Sequence, residues 1–213
     1  VPVTPRPRRG TALRTLTASA AASAVAAALV LSPAPAAADH EDTPTVRELL
    51  ERCGESTDLC EFHPSGSPEY FQNTAEQVGA PVYNCTDHEQ LSQVSWSKTT
   101  GESNSVNLSM TATFGAIFKQ SFTVSYGHEW SSEHTQTQRT QVTAQPGEVA
   151  TVYYGPRMQR VDGTYELHFG SRQWGHYIWY APFTAEGPAD DQGSTVTQST
   201  RQMTDEERAA FCD

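Results

Sequence analysis

The chain has 213 residues, 37% of them hydrophobic and 18% charged, a length that suits one domain with an appended small element. Twenty-five Asp and Glu against 14 Lys and Arg exclude a nucleic-acid partner, whose phosphates need a basic surface. Eight Phe, eight Tyr and four Trp suffice for a core and exclude collagen-like or low-complexity disorder, and beyond the N-terminus no apolar run is long enough for a membrane-spanning helix.

Residues 1–38 read as a secretory signal peptide, so the mature protein is expected outside the cell. Arg6, Arg8, Arg9 and Arg14 form the basic head, residues 16–31 the apolar middle, and Pro33 to Ala38 a small-residue cleavage site. A cut after Ala38 removes these four of the 14 basic residues, so 10 face 25 acids, a net charge of −15. Export places Cys53, Cys60, Cys85 and Cys212 in an oxidising compartment, where three pairings are open. Proximity favours Cys53–Cys60, which leaves Cys85–Cys212 as a long clasp between the C-terminus and the start of the main domain. The spacing lacks the C-x-x-C pair of a structural zinc site, and no metal is expected.

Residues 39–84 read as an acidic arm. Thr45 with Glu48 is a capping box, Val46, Leu49 and Leu50 make a short apolar stripe, and Gly54 is a stop, which predicts a helix of about two turns ending at Cys53. Beyond it Pro64, Gly66, Pro68, Gly79 and Pro81 predict little regular structure.

Residues 85–213 read as the β-domain. Val106, Leu108, Met110, Ala112 and Phe114 alternate with Asn107, Ser109, Thr111 and Thr113. After Gly115, Phe118, Gln120, Phe122, Val124 and Tyr126 alternate with Lys119, Ser121, Thr123 and Ser125. Period two predicts strands over 106–114 and 118–126, with one face buried and the other lined by hydroxyls. Residues 131–141, rich in Thr and Gln, suit an exposed strand. Pro146-Gly147 is a turn before a strand over 149–154, and Thr164 to Phe169 alternates again. An aromatic cluster runs from Trp174 to Phe183. Thr204 with Glu207 is a second capping box and predicts a short C-terminal helix. The expected fold is mainly β, an elongated antiparallel sheet or sandwich with a short helix at each end, stapled by disulfides.

No nucleophile elbow, P-loop, dinucleotide fingerprint or H-E-x-x-H motif occurs. His128-Glu129 and Glu133-His134 imitate a metal motif, but an extended strand would hold the two histidines about 20 Å apart. No catalytic residue and no cofactor are expected.

Two resemblances set the functional expectations. Residues Trp96–Tyr154 resemble the aerolysin and epsilon-toxin type of β-protein in Ser103-Asn104-Ser105-Val106, the hairpin around Phe114–Phe118, the Ser131–Gln141 run and the Pro146-Gly147 turn. This resemblance implies a β-pore-forming toxin, and the arms 106–114 and 118–126 have the length a membrane barrel needs. Across almost the whole mature chain, Leu59-Cys60-Glu61-Phe62, Asn84-Cys85, Trp96-Ser97, Tyr126-Gly127-His128, Gly163-Thr164-Tyr165-Glu166 and Gly175-His176-Tyr177 resemble small exported actinobacterial (Streptomyces-type) β-proteins. Among these the chain resembles the small adaptor subunit of umbrella toxin particles. That likeness implies a non-enzymatic linker between a lectin-bearing subunit and a large toxin-bearing protein, acting partly through its N-terminal segment. The expected contact is the arm, with Val46, Leu49, Leu50 and Leu59 as apolar anchors and Glu41, Asp42, Glu48, Glu51, Glu55 and Asp58 steering toward a basic partner. Removing residues 39–52 is then expected to leave the β-domain folded. A membrane enters only with the pore-forming alternative; a secreted carbohydrate-binding protein or hydrolase is a further one.

Overall fold

The computed structural model describes residues 43–189 and 193–212; the stretch expected to be a signal peptide and the acids at 39, 41 and 42 lie outside the described residues. Local signals set both terminal helices. Helix α1 (Val46–Glu51) starts at Thr45, whose hydroxyl accepts from the Glu48 N–H while the Glu48 carboxylate accepts from the Thr45 N–H. Helix α3 (Asp205–Phe211) starts in the same way with Thr204 and Glu207.

Between them run β1 (Leu59–Gln72), β2 (Glu76–Tyr83), β3 (Gln90–Gly101), β4 (Ser103–Asn104), the helix α2 (Thr113–Tyr126), β5 (Glu133–Ala144), β6 (Glu148–Gly155), β7 (Arg157–Gln173), β8 (His176–Pro188) and β9 (Thr195–Gln202). All pairings are antiparallel, in three sheets ordered β1-β7-β8-β4, β2-β6-β9 and β3-β5. The protein is mainly β, and the disulfides are Cys53–Cys60 and Cys85–Cys212.

Two expectations need correction. Residues 54–84 are largely strand, because Pro and Gly are accommodated at sheet edges. β1 and β2 are both edge strands, and their registers shift between Ser65 and Glu69 and between Val78 and Val82, the breaks that hold Pro68 and Pro81, while Pro64 stays opposite Gly163 at the sheet edge.

The strands expected over 106–114 and 118–126 are absent: 113–126 is α2, preceded by turns. Phe114, Phe118, Phe122 and Tyr126 recur every four residues, and a spacing of four satisfies period two as well as one helical face. The first three are buried, whereas Val124, assigned by alternation to the same buried face, is 81% exposed. Gly115 is no hairpin turn; a Cβ there would run into the Met110 backbone, so glycine lets the start of α2 lie against the preceding loop. Gly127, at φ +77°, ends the helix in the left-handed conformation.

Two apolar clusters form the core. The first joins Leu49, Leu50 and Cys53 with Phe62, the three α2 phenylalanines, Trp130, Tyr165 and Phe183, between helices α1 and α2 and the inner face of the β1-β7-β8 sheet. The second joins Val78, Val94, Trp96, Val142, Ala150, Val152 and Tyr154, between the β2-β6 and β3-β5 pairs.

The C-terminal end carries an acid-sensitive contact. Arg201 grips Glu207 through two bonds of 2.7 and 2.6 Å, and this grip, with the Thr204 N–H, holds the Glu207 carboxyl down to about 2 from its ordinary 4.5. A depressed carboxyl stabilises the fold above its unfolded value, and that contribution is lost as pH falls from about 4.5 toward 2. Amide exchange in α3, referenced to β7, is therefore expected to accelerate across that window. In Glu207→Gln the α3 amides should show no acceleration there; an unchanged acid profile would remove the grip as its cause.

Candidate functional site

The candidate residues in the arm do not make one exposed surface. Leu49 and Leu50 fill the first core cluster, Val46 packs against it half-buried, and Leu59 is 37% exposed at the start of β1. Glu48 is held in the capping box and Glu51 pairs with Arg47 at 3.0 Å. Anchoring a partner through Leu49 and Leu50 would require pulling them from the core, and removing residues 39–52 would open that core rather than spare it.

Among the described residues no cluster of His, Cys, Asp and Glu could hold a metal. The His128 ring packs on Phe122 and its Nδ1 donates to the Tyr126 carbonyl at 3.2 Å, while His134 sits on β5. His168 and His63 meet the two oxygens of Glu166 at 2.6 and 3.2 Å on the outer face of the β1-β7-β8 sheet. The His168 bond, with His63 beyond it, holds the Glu166 carboxyl below its ordinary range.

The notable site is the stretch between β3 and β5. These strands pair without interruption over twelve residues, from Gln90↔Ala144 to Gly101↔Glu133. Hydroxyls meet across one face, Ser97 with Thr137 at 3.0 Å and Thr99 with Thr135 at 2.8 Å. Val94, Trp96, Val142 and Ala144 are buried on the other. The Glu102 N–H donates to the Ser132 carbonyl at 2.8 Å, one step past the last pair. There the chain departs. β4 pairs with β8 at Ser103↔Glu186 and Asn104↔Ala185, a loop follows, and α2 crosses the inner face of the sheet.

Side-chain contacts hold this excursion down. The Tyr165 hydroxyl donates to the Phe114 carbonyl, and Tyr126 to that of Gly66, each at 2.7 Å. Trp130 Nε1 donates to Glu102, and Lys119 Nζ to Ser132, each at 2.7 Å. Arg47 of α1 reaches the carbonyls of Val106 and Asn107 at 3.4 and 3.5 Å. Burial pushes the Tyr165 phenol up, so it stays protonated and a donor.

Carrying the β3–β5 register onward pairs residues whose numbers have the same parity: Leu108 with Tyr126, Met110 with Val124, Ala112 with Phe122. Every apolar residue of both arms then falls on one face, except that Gln120 comes opposite Phe114. Asn107, Ser109, Thr111 and Thr113 share the other face with Lys119, Ser121, Thr123 and Ser125. One sequence thus fits two foldings: a helix whose phenylalanines fill the core, and a two-faced hairpin that prolongs an existing ribbon. Alternation revealed the second; the four-residue phenylalanine spacing was the available signal for the first.

No protein-family model and no curated protein matches the chain. Among solved structures it is similar to a candidate pore-forming toxin from Bacteroides vulgatus, at 9% identity over 69% of this chain and 57% of that one, with a TM-score of 0.29. The chain thus spans less than two thirds of that protein's length. It is also similar to the parasporin-2 toxin of Bacillus thuringiensis, described as recognizing cancer cells (13% identity, 68% of this chain and 76% of that one, TM-score 0.21). A β-pore-forming protein from Brevibacillus laterosporus matches at 12% identity over 70% of each chain, with a TM-score of 0.28. Likenesses of this size leave the function to be argued from the site itself.

Proposed function

We propose that the protein is a secreted, non-enzymatic β-pore former in which residues 103–131 leave the sheet and prolong β3 and β5 as a membrane-crossing hairpin. The observation that carries this reading is the conjunction of a helix and loop in the folded chain with a period-two pattern in register with the β3–β5 ribbon. Arms 106–114 and 118–126 are each nine residues, and a tilted membrane strand needs about 9–11. Their alternation supplies an apolar face for lipid and a hydroxyl face for a watery lumen. A lone hairpin in lipid would leave its edges unpaired, so several copies must close a barrel. Two disulfides suit an extracellular setting.

An adaptor joining lectin-bearing and toxin-bearing subunits is the competing role. Its expected docking arm gives Leu49 and Leu50 to the core, and no feature of the fold favours it over the hairpin. Dye release separates the two. The purified mature protein is expected to empty liposomes and form an oligomer on them. Intact vesicles over phosphatidylcholine and phosphatidylserine mixtures, with co-purification of other secreted subunits, would overturn the pore and favour the adaptor.

A further inference from the structure

The geometry points to the turn between β7 and β8 as a membrane-docking tip that takes a phospholipid surface. Gln173 pairs with His176 across Trp174 and Gly175, both at positive φ (+47° and +83°), which makes a tight two-residue turn. A tryptophan in that conformation is disfavoured by its own side chain and needs support. Support comes from Arg52, whose guanidinium lies 4.5 Å from the centre of the Trp174 ring and donates to Gln173 at 2.8 Å, and from the edge-on Trp179 ring.

Just past the turn, Tyr177, Ile178 and Tyr180 are 53, 44 and 63% exposed. Successive strand residues point to opposite faces, so Ile178 and Tyr180 stand on one face of the hairpin and Tyr177 on the other. Apolar exposure on both faces suits entry into an apolar medium; a platform for a flat partner would need one face only.

Charge selects the occupant. In a chain with 25 acids none occurs between Glu166 and Glu186, and this stretch carries Arg172, His168 and His176 among its aromatics. Arg172 lies over the Tyr177 ring at 5.5 Å. Of nearby acids, Asp58 lies beside Gly170, Glu61 stands opposite Glu166 on β1, and Glu166 is held between two histidines. Aromatic rings beside arginine are the side chains that settle at a bilayer interface, the rings at headgroup level and the cations on phosphate. The chain leaving β3 also heads this way. After Asn104↔Ala185 the Ser105 N–H donates to the Thr184 carbonyl, so β4 and its continuation run down β8 toward the turn. The tip would present the membrane at the end of the sheet toward which that segment points.

The inference rests on the pore-forming reading only in making a membrane the destination, and binding is measured apart from leakage. The mature protein is sedimented with vesicles of phosphatidylcholine alone and of phosphatidylcholine with phosphatidylserine. It is expected to bind both, and the anionic vesicles more tightly. Tyr177→Ser with Tyr180→Ser is expected to weaken binding about tenfold, since two exposed rings lose their interfacial burial without disturbing the core. Tyr70→Ser, which removes an exposed ring on β1, should bind like the parent. Failure of the parent chain to sediment with either vesicle, or equal binding by the double variant, would overturn the tip. So would loss of a protein partner with vesicle binding kept. Binding through the tip without leakage would sink the pore and leave the tip standing.

Discussion

Phe118→Ala is expected to lower the stability of the protein by about 3–5 kcal/mol, the range for emptying a fully buried phenylalanine site. Phe118 has no exposed surface, and its ring meets Phe62, Trp130, Phe183 and Phe122 at centroid distances of 5.1, 4.9, 5.7 and 6.2 Å. Three of those partners lie outside α2, so the loss falls on the docking of the helix. Urea denaturation should show the global change. Amide exchange over 113–126 should accelerate before that of β7, because a weakened contact opens locally first. Under the pore-forming reading the same variant should release dye faster at a given lipid load, since less free energy holds the segment against the sheet. A loss below about 1 kcal/mol would mean that the site collapses around the gap and that the phenylalanine stack does not hold α2 in place.

What the sequence revealed depended on how local the cause was. The capping boxes at Thr45 and Thr204 need only three residues and were legible, and so was the Cys53–Cys60 pair, seven residues apart. β1 and β2 were obscured because Pro and Gly signal a loop unless the strand lies at an edge, and edge position is a property of the assembled sheet. The burial of Leu49 and Leu50 was hidden for a similar reason. A two-turn apolar stripe looks the same whether it meets a partner or its own core. Residues 106–126 are the informative case. Alternation and the four-residue repeat coexist there, and tertiary contacts with Phe62, Tyr165 and Phe183 choose the helix. Removing those contacts in favour of lipid would remove the reason for that choice.

Two neighbouring residues of α2 distinguish the folded helix from the prolonged hairpin. Val124 and Ser125 are both exposed on α2, so an arginine at either position should leave the folded protein within about 0.5 kcal/mol of its stability. In the prolonged hairpin they part company. Val124 lies opposite Met110 on the lipid face near the middle of the span, and Ser125 faces the lumen. A lipid-facing arginine near the midplane costs about 2–4 kcal/mol in each copy of the barrel, whereas a lumen-facing one meets water. Dye release from phosphatidylcholine–phosphatidylserine vesicles is therefore measured for Val124→Arg and Ser125→Arg at matched vesicle binding. Val124→Arg is expected to bind and fold normally yet to lose leakage by at least about thirtyfold, the equivalent of its lower cost, while Ser125→Arg leaks like the parent. Equal leakage by the two variants would contradict the hairpin.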